Sequence, residues 1–272
     1  MPTVIEQYRK IKNTLARAGF EEADAEARLI VADALHMGLG EIFLYADREA
    51  AIDPSNVLEK RLSGMPLAYA MNKKYFMGDP FYVDENVLIP RQDTEVTAEA
   101  AIGLVRERGY GTLLDLCCGS GCIGIAVAKR TDTRVTGLDI SADAVRIANK
   151  NARDLAAENF RAHVSDLFSC MDAVFDLIVS NPPYVTEEEY KTLESQVKDF
   201  EPRGALVGGL DFFERIAAQA AEHLHPDGAL VLETGAGQKE AVFAILEKNG
   251  FKNIKSINDI AGRHRVTVCT IN

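Results

Sequence analysis

Tryptophan is absent from the 272 residues, so any aromatic face offered to a ligand must come from Phe or Tyr. No apolar run approaches the ~18–20 residues of a membrane span, and none is expected. Met1 to Lys12 mixes polar and apolar residues without the apolar centre of a secretion signal. Five cysteines are too few, and odd in number, for a disulfide framework. Reduced thiols in a cytoplasmic protein are the simplest account. Positive charge is also in deficit, with 30 Lys and Arg against 41 Asp and Glu and a formal net charge of −11. Such a chain repels polyanions as a whole, and nucleic-acid binding would need a local basic patch. What is present is an ordinary globular composition, 47% hydrophobic and 26% charged. The length suits one large domain and a small one.

Residues 1–62 read as helices. Ile5, Tyr8, Ile11 and Leu15 recur at helical spacing and stop at Gly19. Ala25, Leu29, Ala32 and Leu35 repeat the pattern and stop at Gly38, and Asp53-Pro54 starts a further helix through Leu62. This span holds eleven acids and eight bases, so it is no basic arm, and it carries no catalytic constellation. From Tyr75 the period changes to that of a hairpin, with Gly78-Asp79-Pro80 as the turn. Asp93 or Thr94 then caps a helix through Arg106.

Beyond Gly111 strands and helices alternate. Strands are expected at 112–117, 134–140, 160–165, 175–180, 229–233, 254–257 and 265–270. Helices are expected at 123–129, 142–155, 187–197, 212–223 and 239–248. The alternation predicts an α/β fold with a mostly parallel, doubly wound sheet and a late antiparallel edge. The domains expected are 1–72 helical, 73–90 a hairpin linker, and 91–272 the sheet domain.

Candidate chemistry falls at strand ends. Cys117, Cys118, Gly119, Ser120 and Gly121 form a tight loop after the first strand, where glycines let the backbone approach a ligand. Gly119, Gly121 and Gly124 meet the dinucleotide pattern G-x-G-x-x-G, which is weak evidence, and no phosphate-loop Gly-Lys-Ser/Thr follows. Asp139, ending the next strand, can accept from both hydroxyls of a ribose, a need shared by nicotinamide cofactors and S-adenosylmethionine (SAM). Asp166 follows the third strand. Adjacent Cys117-Cys118 inside a turn is poor zinc geometry with no fourth ligand near, so no metal is expected. His223, His225 and His264 read as ordinary residues. Asn181-Pro182-Pro183-Tyr184 ends the apolar strand 175–180. Two prolines stop the ladder and leave bare carbonyls. The Asn oxygen beside a Pro carbonyl can accept both hydrogens of a planar NH₂ group, with Tyr184 as a flat face. The alternative is a proline turn capped by Asn.

Together these motifs resemble the N5-glutamine methyltransferases of peptide chain release factors. The likeness runs through Leu88-Ile89-Pro90-Arg91, Leu114 to Gly124, Asp139-Ile140-Ser141, Asn181 to Tyr184, Phe200-Glu201-Pro202-Arg203 and Ala261-Gly262-Arg263. Asn-Pro-Pro-Tyr alone is shared with adenine amino-methyltransferases, which gives the alternative function of modifying nucleic acid. The resemblance implies a Rossmann-like seven-stranded methyltransferase domain that uses SAM and releases S-adenosyl-L-homocysteine. It implies SAM contacts from Cys117 to Gly121, Asp139, Asp166, Leu167 and Asn181. Catalysis is implied for Asn181, Pro182 and Tyr184, and substrate contact for these with Pro183. The implied partner is a release factor presenting glutamine in an exposed loop to a monomeric enzyme, its helical domain helping to dock it. Cys117-Cys118 stand where Gly-Thr is usual, Phe212 where Gly often follows Asp211, and Leu167 where an aromatic residue is common. The last departure should weaken adenine packing.

Overall fold

The computed structural model describes residues 1–272, which divide into two compact units, Met1–Lys73 and Lys74–Asn272. The first is helical: α1 (Val4–Arg17), α2 (Ala23–Ala34), α3 (Glu41–Leu44), α4 (Ser55–Leu62) and α5 (Leu67–Ala70). A capping box starts α1, because Thr3 and Glu6 each accept the other's backbone N–H. Its residues Val4, Tyr8, Ile11 and Leu15 share one core with Ala27, Ile30 and Val31 of α2. Asp53 Oδ1 accepts the Ser55 N–H at 3.0 Å and holds the start of α4. No helix of the protein is long and apolar enough to cross a membrane.

The second unit opens with β1 (Lys74–Phe76) and β2 (Asp79–Phe81). Their turn is tighter than expected. Phe76 pairs with Asp79, so Met77 and Gly78 alone reverse the chain. Both have positive φ, +49° and +83°, the requirement of a two-residue hairpin turn. Asp79 and Pro80 are therefore strand residues, and Pro80 is tolerated because a two-stranded ribbon has only edges. Glu95 Oε1 accepts the Met77 N–H and Arg130 Nη2 donates to the Met77 carbonyl, each at 2.6 Å. Phe76 and Phe81 join the sheet core. The hairpin is thus packed into the sheet unit, and the division falls at Lys73, ahead of it.

There follow α6 (Thr94–Arg108), β3 (Thr112–Leu116), α7 (Cys122–Arg130), β4 (Arg134–Asp139), α8 (Ala142–Asp154), β5 (Phe160–Val164) and β6 (Phe175–Ser180). The chain continues with α9 (Glu187–Thr192), α10 (Ser195–Phe200), α11 (Asp211–Ala220), β7 (Leu224–Glu233), α12 (Lys239–Lys248), β8 (Lys252–Asn258) and β9 (His264–Thr270). The seven-stranded sheet has the order β5-β4-β3-β6-β7-β9-β8. Its first five strands are parallel, and β9 pairs antiparallel with both β7 and β8. One apolar core draws on α6, α7 and α8, the other on α11 and α12. Layers on both faces make β3 and β6 almost wholly buried, which is why they read as apolar runs.

Three local expectations are corrected. The helix expected at 187–197 is two short ones, because Leu193 and Glu194 are extended. β7 begins at Leu224: Phe175 pairs with Leu224 and Leu177 with Ala229, so His225–Gly228 bulge out within the strand. Asp93 stands at the N-cap of α6, but its side chain makes no capping hydrogen bond, and Thr94 is already the first helical residue. The Asp93 carboxylate instead meets Arg265 at 2.7 Å, and the Thr94 hydroxyl points to a buried carboxylate.

Helix α7 packs closely on the sheet at Gly124. A Cβ there would lie 2.7 Å from Phe160, 2.8 Å from Asp115 Oδ2 and 3.0 Å from Val135. Gly124→Ala should destabilise the protein by ~1–3 kcal/mol in denaturant unfolding, the usual cost of overpacking. Equal or greater stability would show that the helix can back away.

Candidate active site

The strand order reverses beside β3: β4 and β5 extend one way, β6 the other. In open α/β sheets the ligand crevice lies outside the carboxyl ends of the strands at such a point. Here those ends lead into the Cys117–Gly121 loop and Asn181.

The loop is fixed from several sides. The Cys118 N–H donates to the Leu138 carbonyl of β4 at 3.0 Å, and the Gly121 N–H returns to the Cys118 carbonyl at 2.7 Å. Cys117 has φ +57°, a conformation that suits glycine and explains why glycine is usual there. Gly121 caps α7 at φ +80°, and a Cβ on it would come within 2.9 Å of Ile125. Asn151 of α8 donates to the Ser120 carbonyl at 2.9 Å and brackets both backbone groups of Tyr82. Burial pushes the Cys122 thiol up to about 12 and raises Cys117 and Cys118 as well, so all three are neutral thiols at neutral pH. No group of three His, Cys, Asp or Glu converges as a metal site would require.

Asp139 Oδ2 accepts the Gly119 N–H and Oδ1 accepts the Ser141 N–H, both at 2.9 Å. Each oxygen keeps a further lone pair. Burial raises the carboxyl's pKa against the pull of these backbone donors. Behind the loop, Asp115 Oδ2 accepts the Gly124 N–H at 2.9 Å, while buried Oδ1 has no partner. Desolvation pushes Asp115 up to about 7.

Strand β6 ends with the Ser180 hydroxyl on the Leu116 carbonyl at 2.8 Å, which ties it to β3. Asn181 Nδ2 donates to Thr94 Oγ1 at 3.3 Å, leaving Oδ1 free. Thr94 Oγ1 donates in turn to Glu233 Oε1 at 3.1 Å, and Thr97 Oγ1 to Oε2 at 3.0 Å. Glu233 is 1% exposed, and burial pushes it up to about 7 against those two hydroxyl donors. Pro182 and Pro183 are buried. A Cβ at Gly208 would lie 2.3 Å from the Pro183 carbonyl oxygen, so that segment presses directly on the turn. Tyr184 packs on the second core and gives its carbonyl to Gln238 Nε2 at 2.8 Å. Burial, then the nearby Glu233, raises the Tyr184 phenol.

A cleft of about 260 Å³ opens over these elements. Cys117, Cys118, Gly119, Ser120, Asp139, Asp166, Leu167, Asn181 and Pro183 line it, and Gly121, Pro182 and Tyr184 do not. Gly121 is used for packing and Tyr184 stands behind the turn. Asp166 accepts from Arg215 at 2.6 Å, whose guanidinium lies 5.5 Å from the Phe212 ring. Arg215 and Phe212 line the cleft beside Leu167. The opposite wall includes 86–88, Pro90, Arg91 and Pro202. Buried Glu201 holds that wall together, accepting the Ile89 N–H at 3.2 Å and Arg91 Nη2 at 2.5 Å. The Ile-Pro-Arg and Phe-Glu-Pro-Arg motifs are therefore two halves of one clamp. Thr94, Phe212, Glu233 and the Glu201 clamp were not legible as site residues. The Glu201 clamp and Phe212 stood out only as motif positions of the resemblance, and Glu233 only as an acid ending an apolar strand.

The donor set fits SAM. Asp139 offers spare acceptors at a strand end, the loop presents close backbone, and Leu138, Ile123, Leu167, Phe212 and the 71%-exposed Ile140 give apolar surface for a base. This fold and cleft define a SAM-dependent methyltransferase with a Rossmann-like sheet. The Methyltransferase small domain family matches residues 97–200, and the PrmC N-terminal domain family matches residues 6–71. The chain is 38% identical to the release factor glutamine methyltransferase of Clostridium acetobutylicum, over 84% of this chain and 85% of that one. It is 36% identical to that of Geobacter sulfurreducens, over 93% and 91%. The protein belongs to the release factor glutamine methyltransferase family. Among solved structures, a methyltransferase from Pyrococcus furiosus is similar at TM-score 0.55 and 17% identity, over 73% of this chain and 92% of that one. The Thermus thermophilus 16S rRNA N2 G1207 methyltransferase, solved with AdoMet and guanosine, is similar at 0.54 and 19%, over 74% and 50%. These two speak for the fold alone.

The two raised carboxyls make stability depend on pH. Asp115 and Glu233 ionise near 7 when folded, but near their ordinary 3.8 and 4.5 when unfolded. The folded state holds these protons more tightly, so their contribution is full below about pH 4 and is lost as pH rises through about 7. Asp115→Asn and Glu233→Gln should each flatten the fall in urea-unfolding free energy across that window. Unchanged slopes would mean that both carboxyls ionise normally in the fold.

Proposed function

We propose that this protein transfers a methyl group from SAM to the side-chain amide nitrogen, N5, of a glutamine in a peptide chain release factor. The observation that carries this reading is the free Asn181 Oδ1, held beside the cofactor loop by a donor bond from its own Nδ2 to Thr94. A free oxygen at that point suits a partner that brings hydrogens, as an NH₂ group does. The named activity of the relatives supplies the acceptor.

An amide nitrogen is a poor nucleophile because its lone pair is delocalised into the carbonyl. Asn181 Oδ1 accepts one of its hydrogens; Pro182 lies outside the cleft lining, but its carbonyl joins no backbone hydrogen bond and accepts the other once the amide is seated against the turn. These two bonds fix the NH₂ plane and draw electron density toward nitrogen. SAM, when bound, would supply an electrophilic methyl on a sulfonium, with S-adenosyl-L-homocysteine as the leaving product. Asp139 would hold the ribose, and the Cys117–Gly121 loop would lie against the rest of the cofactor. Leu167 and Phe212, which both line the cleft, would face the base, with Phe212 supplying the aromatic surface that Leu167 lacks. Asp166, paired to Arg215, borders the same end. Fixing the reacting groups in line can supply up to ~7–11 kcal/mol of the barrier. No general base is required, because a methylated amide nitrogen carrying an extra proton is very acidic and loses it to water.

The acceptor glutamine sits in an exposed loop of the factor, and the unit Met1–Lys73 helps dock that protein to a monomeric, cytoplasmic enzyme. Adenine in nucleic acid presents similar exocyclic chemistry. The net charge of −11 disfavours it.

Asn181→Ala should lower kcat by ~10²–10³-fold with SAM affinity nearly unchanged, since its bond matters most as nitrogen attacks. Asp139→Ala should instead weaken SAM binding by ~1.5–3 kcal/mol, the range for hydrogen bonds to a charged group. Steady-state kinetics and calorimetry separate the two. Reversed effects would overturn the division of labour. Removing the helical unit should raise KM for an intact release factor more than for a short glutamine peptide, and equal effects would leave it a structural cap.

A further inference from the structure

We infer that Glu233, acting through Thr94, sets which end of the Asn181 side chain meets the acceptor amide. This rests on the methyl-transfer reading above and assigns positioning residues to it. The two ends of an Asn amide are nearly identical in shape, so packing alone cannot choose between oxygen and nitrogen. Facing the cleft with the oxygen, Asn181 accepts a hydrogen from an NH₂ group. Facing it with the nitrogen, it sets donor against donor. The choice has to come from polarity behind the side chain.

Thr94 supplies that polarity. Its hydroxyl has a single proton, and a carboxylate can only accept. Glu233 Oε1 at 3.1 Å takes the proton, so Thr94 Oγ1 turns a lone pair toward Asn181. Only Nδ2 can then occupy the 3.3 Å contact, and Oδ1 is left for the substrate. Thr97, one helical turn along α6, binds Oε2 at 3.0 Å and keeps the carboxylate square to Thr94. The three groups are 0–2% exposed, so water does not compete for these bonds.

The arrangement depends on an ionised Glu233. Once protonated, the carboxyl can donate to Thr94, whose own proton is then free to seek Asn181 Oδ1 and turn the amide over. Charged or titratable groups facing Glu233 are Arg265 from β9, Asp93 before α6, Tyr184 after β6 and Cys122 at the start of α7. The thiol and the phenol are neutral in this range. Asp93 is paired with Arg265 at 2.7 Å, and burial pushes Glu233 up to about 7.

The test compares Thr94→Val, Thr94→Ser and Glu233→Gln in the full-length protein, with and without Asn181→Ala. Thr94→Val should lower kcat by ~10–100-fold while SAM affinity stays within about twofold, and Thr94→Ser should restore most of the loss. Added to Asn181→Ala, Thr94→Val should cost nothing more, because the two act as one unit. In the wild type kcat should fall on acidifying below about pH 7, and Glu233→Gln should abolish that fall. A second readout needs no turnover: the Asn181 side-chain amide in nitrogen-15-labelled protein. One of its protons should exchange slowly in the wild type and in Thr94→Ser, and rapidly in Thr94→Val. Wild-type kcat in Thr94→Val, full additivity with Asn181→Ala, or an amide signal indifferent to Thr94 would each overturn the inference. A protected amide that Thr94→Val exposes, in a wild type that methylates no release factor, would uphold the positioning and bring down the methyl-transfer reading instead.

Discussion

Two consecutive prolines end the central strand β6 beside the end of β3, and the active site follows from that stop. A chain that could continue the ladder would spend the Pro182 carbonyl on a neighbouring strand. Here the carbonyl stays bare and the side chain before it is displayed at the point where the sheet changes direction. The Ser180 hydroxyl donates to the Leu116 carbonyl and so adds a side-chain tie to the β3–β6 pairing between the Asn181 turn and the Cys117–Gly121 loop. Gly208 closes on Pro183 from the other side and leaves the turn no room to shift. The stiffness of proline thus holds Asn181 in a fixed place relative to the Cys117–Gly121 loop.

Around that corner the protein uses buried and half-buried acids for geometry. Glu201 binds one backbone N–H and one guanidinium, and so holds the far wall of the cleft. Asp139 spends one lone pair of each oxygen on the backbone and keeps the other for a ligand. Glu233 has no solvent and two hydroxyl partners, which makes it an acceptor with a defined direction. Buried charge of this kind costs desolvation energy, visible in the raised pKa values of Asp115 and Glu233. The return is orientation of the groups in front of them.

The sequence revealed the sheet because β3 and β6 are buried on both faces and read as apolar runs between turn residues. Strand ends were legible for the same reason, and they carried Asp139 and Asn181. The hairpin turn was misread at Asp79-Pro80 because Met77, a residue with no preference for positive φ, occupies the first turn position. The split between α9 and α10 was hidden because neither helix buries a residue and so neither imposes a period. Long-range pairs were the least visible. Thr94 and Glu233 meet across most of the sheet domain, and Thr94 on its own looks like a helix cap. Phe212 looked like a departure from a family pattern, whereas in the fold it lines the cleft next to Leu167.

The central claim is the identity of the atom that receives the methyl group. Its most direct test is to incubate the purified protein with methyl-labelled SAM, a release factor and duplex DNA together, and to map the label by peptide and nucleoside mass spectrometry. The account predicts a single methyl on the side-chain nitrogen of one release-factor glutamine, and none on the nucleobases. Label on adenine, or a release factor left unmodified while SAM is consumed elsewhere, would contradict it.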